Sequence, residues 1–246
     1  MKDTRYMKRI FLSVLFICTF LSHLTAQTGK ESELIKQNYI RSVIGQDESK
    51  QAFLQLLSKI PPEKEVSDQN VIELQQLYPI RREEIHRLIS TIRGDGSWSD
   101  INYADTKRSG WEPKQHAERI LKLTKYYARE KENASAQEIS AVTSIIHQAM
   151  NYWFTEKLVC KNWWYNQIGI PRTLGPAFLL FEAEMTEKEK QEAVRVMEQS
   201  HFGMTGQNKV WLAGNVLIRA LLQNDWQLAK EARKVIASEI TLGQKE

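Results

Sequence analysis

Asn162-Trp163-Trp164-Tyr165-Asn166-Gln167-Ile168-Gly169-Ile170-Pro171-Arg172 is the stretch on which the reading of this 246-residue chain turns. A helix places apolar residues three or four apart and a strand alternates them, and three adjacent rings satisfy neither period. Consecutive rings point in different directions, so at least one is expected to reach solvent or a ligand. Flat rings beside amides suit a sugar, whose C–H faces stack on a π surface while its hydroxyls take hydrogen bonds. The competing reading is a corner between helices in which the tryptophans fill a gap.

On both sides of this stretch the apolar residues recur with helical period. Leu34, Ile35, Tyr39, Val43 and Ile44 form one stripe, and Phe53 to Ile60 a second that Pro61-Pro62 stops. Ile72 to Ile92 traces a long helical stretch broken near Pro79, and Ile120 to Tyr127, Ile139 to Trp153, Leu174 to Phe181, Val194 and Met197, Val210 to Leu222 and Trp226 to Ile240 continue the pattern. Strand signals are nearly absent. Gly94 to Tyr103 reads as a polar and aromatic loop, and Pro171, Gly175-Pro176 and Met204 to Asn208 as further corners. The expected fold is all-α, an incomplete α/α toroid of antiparallel helix hairpins, with a simple helical bundle as the alternative.

Residues 1–26 read as a signal peptide: Lys2, Arg5, Lys8 and Arg9, then an apolar run from Ile10 to Leu21, then Ala26 ahead of Gln27. The apolar run is shorter than the ~20 residues that span a bilayer, so stable membrane insertion is not expected. A secreted or periplasmic location follows, with one domain over residues 27–246. The whole chain carries 34 basic and 30 acidic residues, and the leader holds four of the first and one of the second. That leaves 30 and 29, so no global field for nucleic acid remains. Of the two cysteines only Cys160 lies beyond the leader, which excludes an internal disulfide there. No metal-ligand spacing of His or Cys is present, and no cofactor is implied.

Three segments occur in a telling order: Asp95-Gly96-Ser97-Trp98-Ser99-Asp100-Ile101-Asn102-Tyr103, Asn162-Trp163-Trp164 with Ile168-Gly169-Ile170-Pro171, and Thr205-Gly206-Gln207-Asn208. Together they resemble the N-terminal α-helical domain of polysaccharide lyase family 8, the chondroitin AC, hyaluronate and xanthan lyases, from about Glu33 onward. The resemblance implies an acidic, glycosaminoglycan-like polysaccharide as partner and β-elimination at a uronic acid as chemistry. It implies that Trp163 and Trp164 belong to an aromatic patch that stacks on sugars, with Phe202 in the place of its third ring. Asn208 matches the catalytic asparagine that binds the uronate carboxylate. Asn162 and Arg172 are expected to contact the sugar or its charge, and Gln167 stands where many members carry Glu.

The family's base His and its Tyr lie further along, followed by β-sandwich domains. The chain is therefore expected to be a truncated portion, inactive alone, with apolar faces at Leu217, Ile218, Leu221 and Leu222 left exposed. His201, Tyr103 and Tyr165 do not match the base or acid positions. Other readings stay open. Asn208 can be an N-cap of a helix starting near Lys209, and Asn215 can face the cleft or bond a neighbouring helix. Lys157, Lys161, Arg172 and Lys209 can attract an anionic glycan. A noncatalytic glycan-binding protein is one alternative. A toroid glycosidase using Asp95, Asp100 and Asp105 is another, although acids in a polar loop are commonly turn formers.

Overall fold

The computed structural model describes Lys30, residues 33–44 and residues 81–239. The leader, the Phe53 to Ile60 stripe and the Pro79 break lie outside the described residues. Within them the chain is all-α, and the only extended pairing is an isolated bridge between Ile92 and Trp98. Helix α1 covers residues 33–44. It is followed by α2 (Arg82–Thr91), α3 (Lys114–Glu130), α4 (Ala136–Glu156), a π-helical turn (Tyr165–Gly169) and α5 (Ile170–Phe181). Helices α6 (Glu187–Met197), α7 (Gly206–Gln223) and α8 (Trp226–Ala237) complete the set.

Local chemistry sets several of these boundaries. Ser135 accepts the Glu138 N–H to open α4, and Lys157 closes that helix in the left-handed region at φ 47°. Thr186 and Glu189 bond each other's backbone N–H in a capping box ahead of α6. Asn224 ends α7 at φ 54°, and Asp225 immediately caps α8 through the Leu228 N–H, so the α7–α8 turn is only two residues long.

Helices α3, α5 and α7 pack in succession, with α4 and α6 beside them and α8 folded back on α7. Their apolar stripes meet in one core that includes Ile120, Leu123, Ile146, Leu174, Phe178 and Phe181. Each fully buried aliphatic or aromatic side chain of this kind contributes roughly 1.5–3 kcal/mol. Ile218 and Leu221 belong to the same core. Their expected exposure is thus corrected: α7 turns these positions toward α5 and α8. Large exposed apolar side chains among the described residues are scattered rather than contiguous: Leu34, Val159, Trp163 and Met204.

Gly175-Pro176 is not a corner. Both residues are buried inside α5. A Cβ on Gly175 would come within 2.8 Å of Met197 Cε and 3.0 Å of Ile218 Cγ2, so glycine is there to let α6 and α7 approach. The Gly94–Tyr103 loop is a loop as expected, but its rings are structural. The Trp98 indole N–H donates to Leu88 O, and the Trp98 backbone N–H donates to the Tyr103 hydroxyl. That hydroxyl donates to His116 Nδ1 at 2.8 Å, and His116 Nε2–H donates to Ala149 O at 2.8 Å. The chain of bonds ties the loop through α3 to α4.

Candidate functional site

The three adjacent rings leave the backbone in three directions. Trp163 is 42% exposed and is the ring presented to solvent. Trp164 lies sideways and half-buried, meeting Trp211 edge-on with ring centres 5.9 Å apart. Tyr165 turns inward against Trp111 and packs on the core. Both readings of the stretch therefore hold in part: one ring reaches out, one fills a helix corner and one joins them.

The amides beside the rings shape the turn. Asn162 Oδ1 accepts the Trp164 N–H at 3.1 Å, and its Nδ2 donates to Arg108 O at 3.0 Å. Both ends of the amide that was expected to meet sugar are thus engaged within the protein. Asn166 clamps Cys160, accepting its N–H at 2.9 Å and donating to its carbonyl at 2.8 Å. Cys160 is buried, which fits a packing role. The backbone then runs in π register, with the Ile170 N–H reaching Tyr165 O. Gly169 is required by the ring beside it, because a Cβ there would sit 2.7 Å from Trp164 Cζ3.

Asn208 stands in the first turn of α7, which begins at Gly206 with Thr205 at the N-cap. The N-cap reading of Asn208 is corrected accordingly: the helix opens three residues earlier, at Gly206, whose φ of 60° makes the entry turn. The Asn208 amide is partly exposed, and no hydrogen bond to it is formed by any described residue. Trp211, three residues on, occupies the same helix face. The Arg172 guanidinium lies 4.7 Å from the centre of the Trp211 ring, a cation–π contact that anchors it. Burial pushes the Tyr39 phenol of α1 up, and the nearby Arg172 charge pulls it the other way. Trp211, Trp164 and Arg172 thus form one connected group, with Asn208 one turn before Trp211 on α7.

Phe202 is half-buried in the loop before α7, and the ring that pairs with Trp164 is Trp211 instead. Trp211 was missed by sequence reading, and its one-turn spacing from Asn208 was the available signal. At the same helix end the Glu239 carboxylate accepts the Gly206 N–H at 3.1 Å and pairs with Lys209 at 2.7 Å. These contacts hold the Glu239 carboxyl below its ordinary range, the Lys209 bond first among them. Asn215 faces inward and bonds Ile168 O and Ser200 Oγ, which settles its role in favour of a neighbouring element.

The acidic loop offers no acid–base pair. Asp95 accepts the Ser97 hydroxyl and N–H, Asp100 takes both arms of the Arg119 guanidinium, and Asp105 accepts the Lys107 and Glu112 N–H groups. All three carboxyls are held below their ordinary range by these bonds, the opposite of what a general acid needs. His116 is buried, His147 pairs with Glu189, His86 lies beside Glu138, and His201 is exposed in the loop before α7. Among the described residues no group of three His, Cys, Asp or Glu side chains is placed to hold a metal ion. Nor is any described helix long and apolar enough to cross a membrane.

The described residues thus form an all-α domain whose helix corners carry rings and amides. Residues 62–246 match the model of the polysaccharide lyase family 8 N-terminal alpha-helical domain, and the chain belongs to that family. Among curated proteins, a chondroitinase-AC of Pedobacter heparinus is 27% identical over 150 residues, covering 59% of this chain and 21% of that protein. The chain thus spans about a fifth of that relative's length. Among solved structures, a chondroitinase AC lyase studied with oligosaccharides aligns at TM-score 0.58 and 24% identity, over 69% of this chain and 26% of that one. A Paenibacillus xanthan lyase aligns at TM-score 0.61 and 15% identity, over 88% and 20%. A Streptomyces coelicolor chondroitin AC lyase aligns at 0.57 and 16%, over 85% and 27%.

Proposed function

We propose that this domain holds the sugar-positioning half of a lyase cleft, acting on uronic-acid polysaccharides of the chondroitin or hyaluronan type in a secreted protein. The observation that carries the proposal is the partly exposed Asn208 amide, to which no described residue bonds, one helical turn from the Trp211–Trp164 pair. In this reading Trp163 stacks on a sugar ring, Trp164 is held in place by Trp211, and Asn208 donates to the uronate carboxylate. Asn162 braces the patch through Arg108 O and the Trp164 N–H rather than touching sugar. Arg172 holds Trp211 and adds positive charge near the anionic polymer. Helices α3, α5 and α7 form part of one wall of a toroid, and Phe202 flanks the cleft from the preceding loop.

Elimination at a uronic acid removes the C5 proton beside a carboxylate and expels the oxygen linked at C4. The difficulty is that negative charge develops on a group already anionic. A donor aimed at that carboxylate favours the enolate-like state, by roughly 3 kcal/mol for an oriented bond in a water-poor site. A base must then take the proton and an acid must serve the leaving oxygen. No described imidazole is both free and placed on the first turn of α7 beside Asn208. Turnover in this reading therefore draws its base from outside the described residues, and residues 27–246 alone bind without cleaving.

Titration calorimetry of the protein with a chondroitin hexasaccharide tests this. Asn208→Ala and Trp163→Ala should each weaken binding about tenfold or more, with the helical circular dichroism unchanged. Unaltered affinity in both variants would refute the reading. Absorbance of an unsaturated uronide, produced by residues 27–246 and abolished by Asn208→Ala, would overturn the statement about the base. Binding without product in the longest form of the protein would favour a noncatalytic glycan-binding role.

A further inference from the structure

Pro171 interrupts the hydrogen-bond ladder of the ring-bearing helix at a defined point. Lacking an N–H, it supplies no donor to the π turn before it, which includes the carbonyl of Gln167. A donor to that carbonyl comes from a distant part of the chain. Ser200 Oγ donates to Gln167 O at 2.5 Å. Asn215 Nδ2 in turn donates to Ser200 Oγ at 3.1 Å and to Ile168 O at 3.2 Å. Both amide hydrogens are used, and the hydroxyl accepts one bond while donating another. Ser200 is 0% exposed and Asn215 1% exposed, so water is excluded from the relay.

The three points joined by this relay each lead to a group proposed to meet the polymer. Asn215 lies on α7 two turns beyond Asn208. Ser200 begins the loop that carries Phe202. Gln167 and Ile168 form the π turn that follows Trp163 and Trp164. The edge-on Trp164–Trp211 contact is apolar and non-directional, and by itself permits sliding. Buried hydrogen bonds fix direction and register, since each has one good geometry and a high cost when left open. We infer that Asn215 and Ser200 are positioning residues, a clasp that sets the distance between Asn208 and the tryptophan patch. The inference rests on the glycan-binding reading above.

The test is a double-mutant cycle read as Kd for a chondroitin hexasaccharide, measured well below each variant's thermal transition. Ser200→Ala removes the hinge of the relay at little change in volume. It should weaken binding about tenfold, the scale of a sub-ångström loss of alignment. In an Asn208→Ala background the same change should cost less than about twofold, because no register between carboxylate donor and patch remains to be kept. Asn215→Ala should follow the same pattern. Where Ser200→Ala fails to fold, Ser200→Cys, nearly isosteric and a poor donor, replaces it with the same expectations. Equal losses in both backgrounds, or a lowered thermal midpoint with unchanged Kd, would show a purely structural tie and overturn the inference. A Kd indifferent to Asn208→Ala alone would instead bring down the glycan reading, and the clasp with it.

Discussion

Lowering the pH from 7 to 5.5 should destabilise the fold through one imidazole. His116 is fully buried and its pKa is lowered from 6.5 to about 4, chiefly by burial, with its bond to Ala149 O pulling the other way. In the unfolded chain the same ring titrates near its ordinary value. Between these two values the unfolded state binds a proton that the folded state refuses. Stability is therefore fully present above pH 6.5 and is lost as pH falls, levelling off below about 4. Linkage gives a loss that reaches about 1 kcal/mol between pH 6 and 5.5 and about 3 kcal/mol at pH 4. The carboxylates act in a lower window. Glu138 is held at about 2, first by Arg82, and Asp95, Asp100 and Asp105 are likewise depressed. Their contributions persist until pH drops below the ordinary carboxylate range. Urea unfolding followed by circular dichroism at pH 7, 6.25 and 5.5 isolates the imidazole when wild type is compared with His116→Gln. The variant keeps a donor for Ala149 O, and the remaining histidines cancel in the comparison. Wild type should lose about 1 kcal/mol more than the variant between pH 7 and pH 5.5. Parallel curves would refute a neutral, buried His116.

Three further outcomes follow from the geometry. Gly96→Ala should cost about 3 kcal/mol or more in urea unfolding, because φ is +91° and a Cβ would lie 2.3 Å from Gln148 O; a loss below about 1 kcal/mol would contradict that crowding. Trp163→Ala should move the thermal midpoint by no more than about 2 °C, whereas Trp111→Ala, which removes a buried ring, should cost about 3–5 kcal/mol; similar effects would mean that Trp163 is a packing residue. Gly169→Ala places a methyl 2.7 Å from Trp164 Cζ3, so it should displace the indole and weaken hexasaccharide binding while costing about 1–3 kcal/mol of stability. Retained affinity would show that the Trp164 orientation is irrelevant to the ligand.

The helical plan was legible because periodic apolar stripes such as Ile139 to Trp153 bury one face whatever their partners are. The divergent directions of Trp163, Trp164 and Tyr165 were legible for a similar reason, since three neighbouring side chains cannot share a face. Gly175-Pro176 was misread because a turn signal and a close-packing signal use the same residues. Only the neighbours, Met197 and Ile218, distinguish them. The N-cap alternative for Asn208 fails because Gly206 starts the helix earlier, through a φ that is not written in composition. Ser200 was invisible as a site residue, and Trp211 was traceable only through its spacing from Asn208, since their partners, Gln167 and Trp164, lie 33 and 47 residues away. Sequence spacing reports neighbours on one helix and is silent about contacts between helices.

The contrast between the two amide-rich regions decides where a ligand belongs. Around the Gly94–Tyr103 loop every acid already accepts bonds from the protein: Asp95 from Ser97, Asp100 from Arg119, Asp105 from Lys107 and Glu112. A ligand group that competes with these must replace a charge-assisted bond already made. Asn162, Asn166 and Asn215 are likewise bonded within the protein. Asn208 differs. Its amide is partly exposed and bonded to no described residue, on a helix whose positive end already draws the Glu239 carboxylate to the Gly206 N–H. A second carboxylate arriving beside it gains a donor without displacing one. In the glycan-binding reading, the Asn208 amide on α7, and not the bonded carboxylates of the Gly94–Tyr103 loop, is the group that meets the negative charge of a sugar.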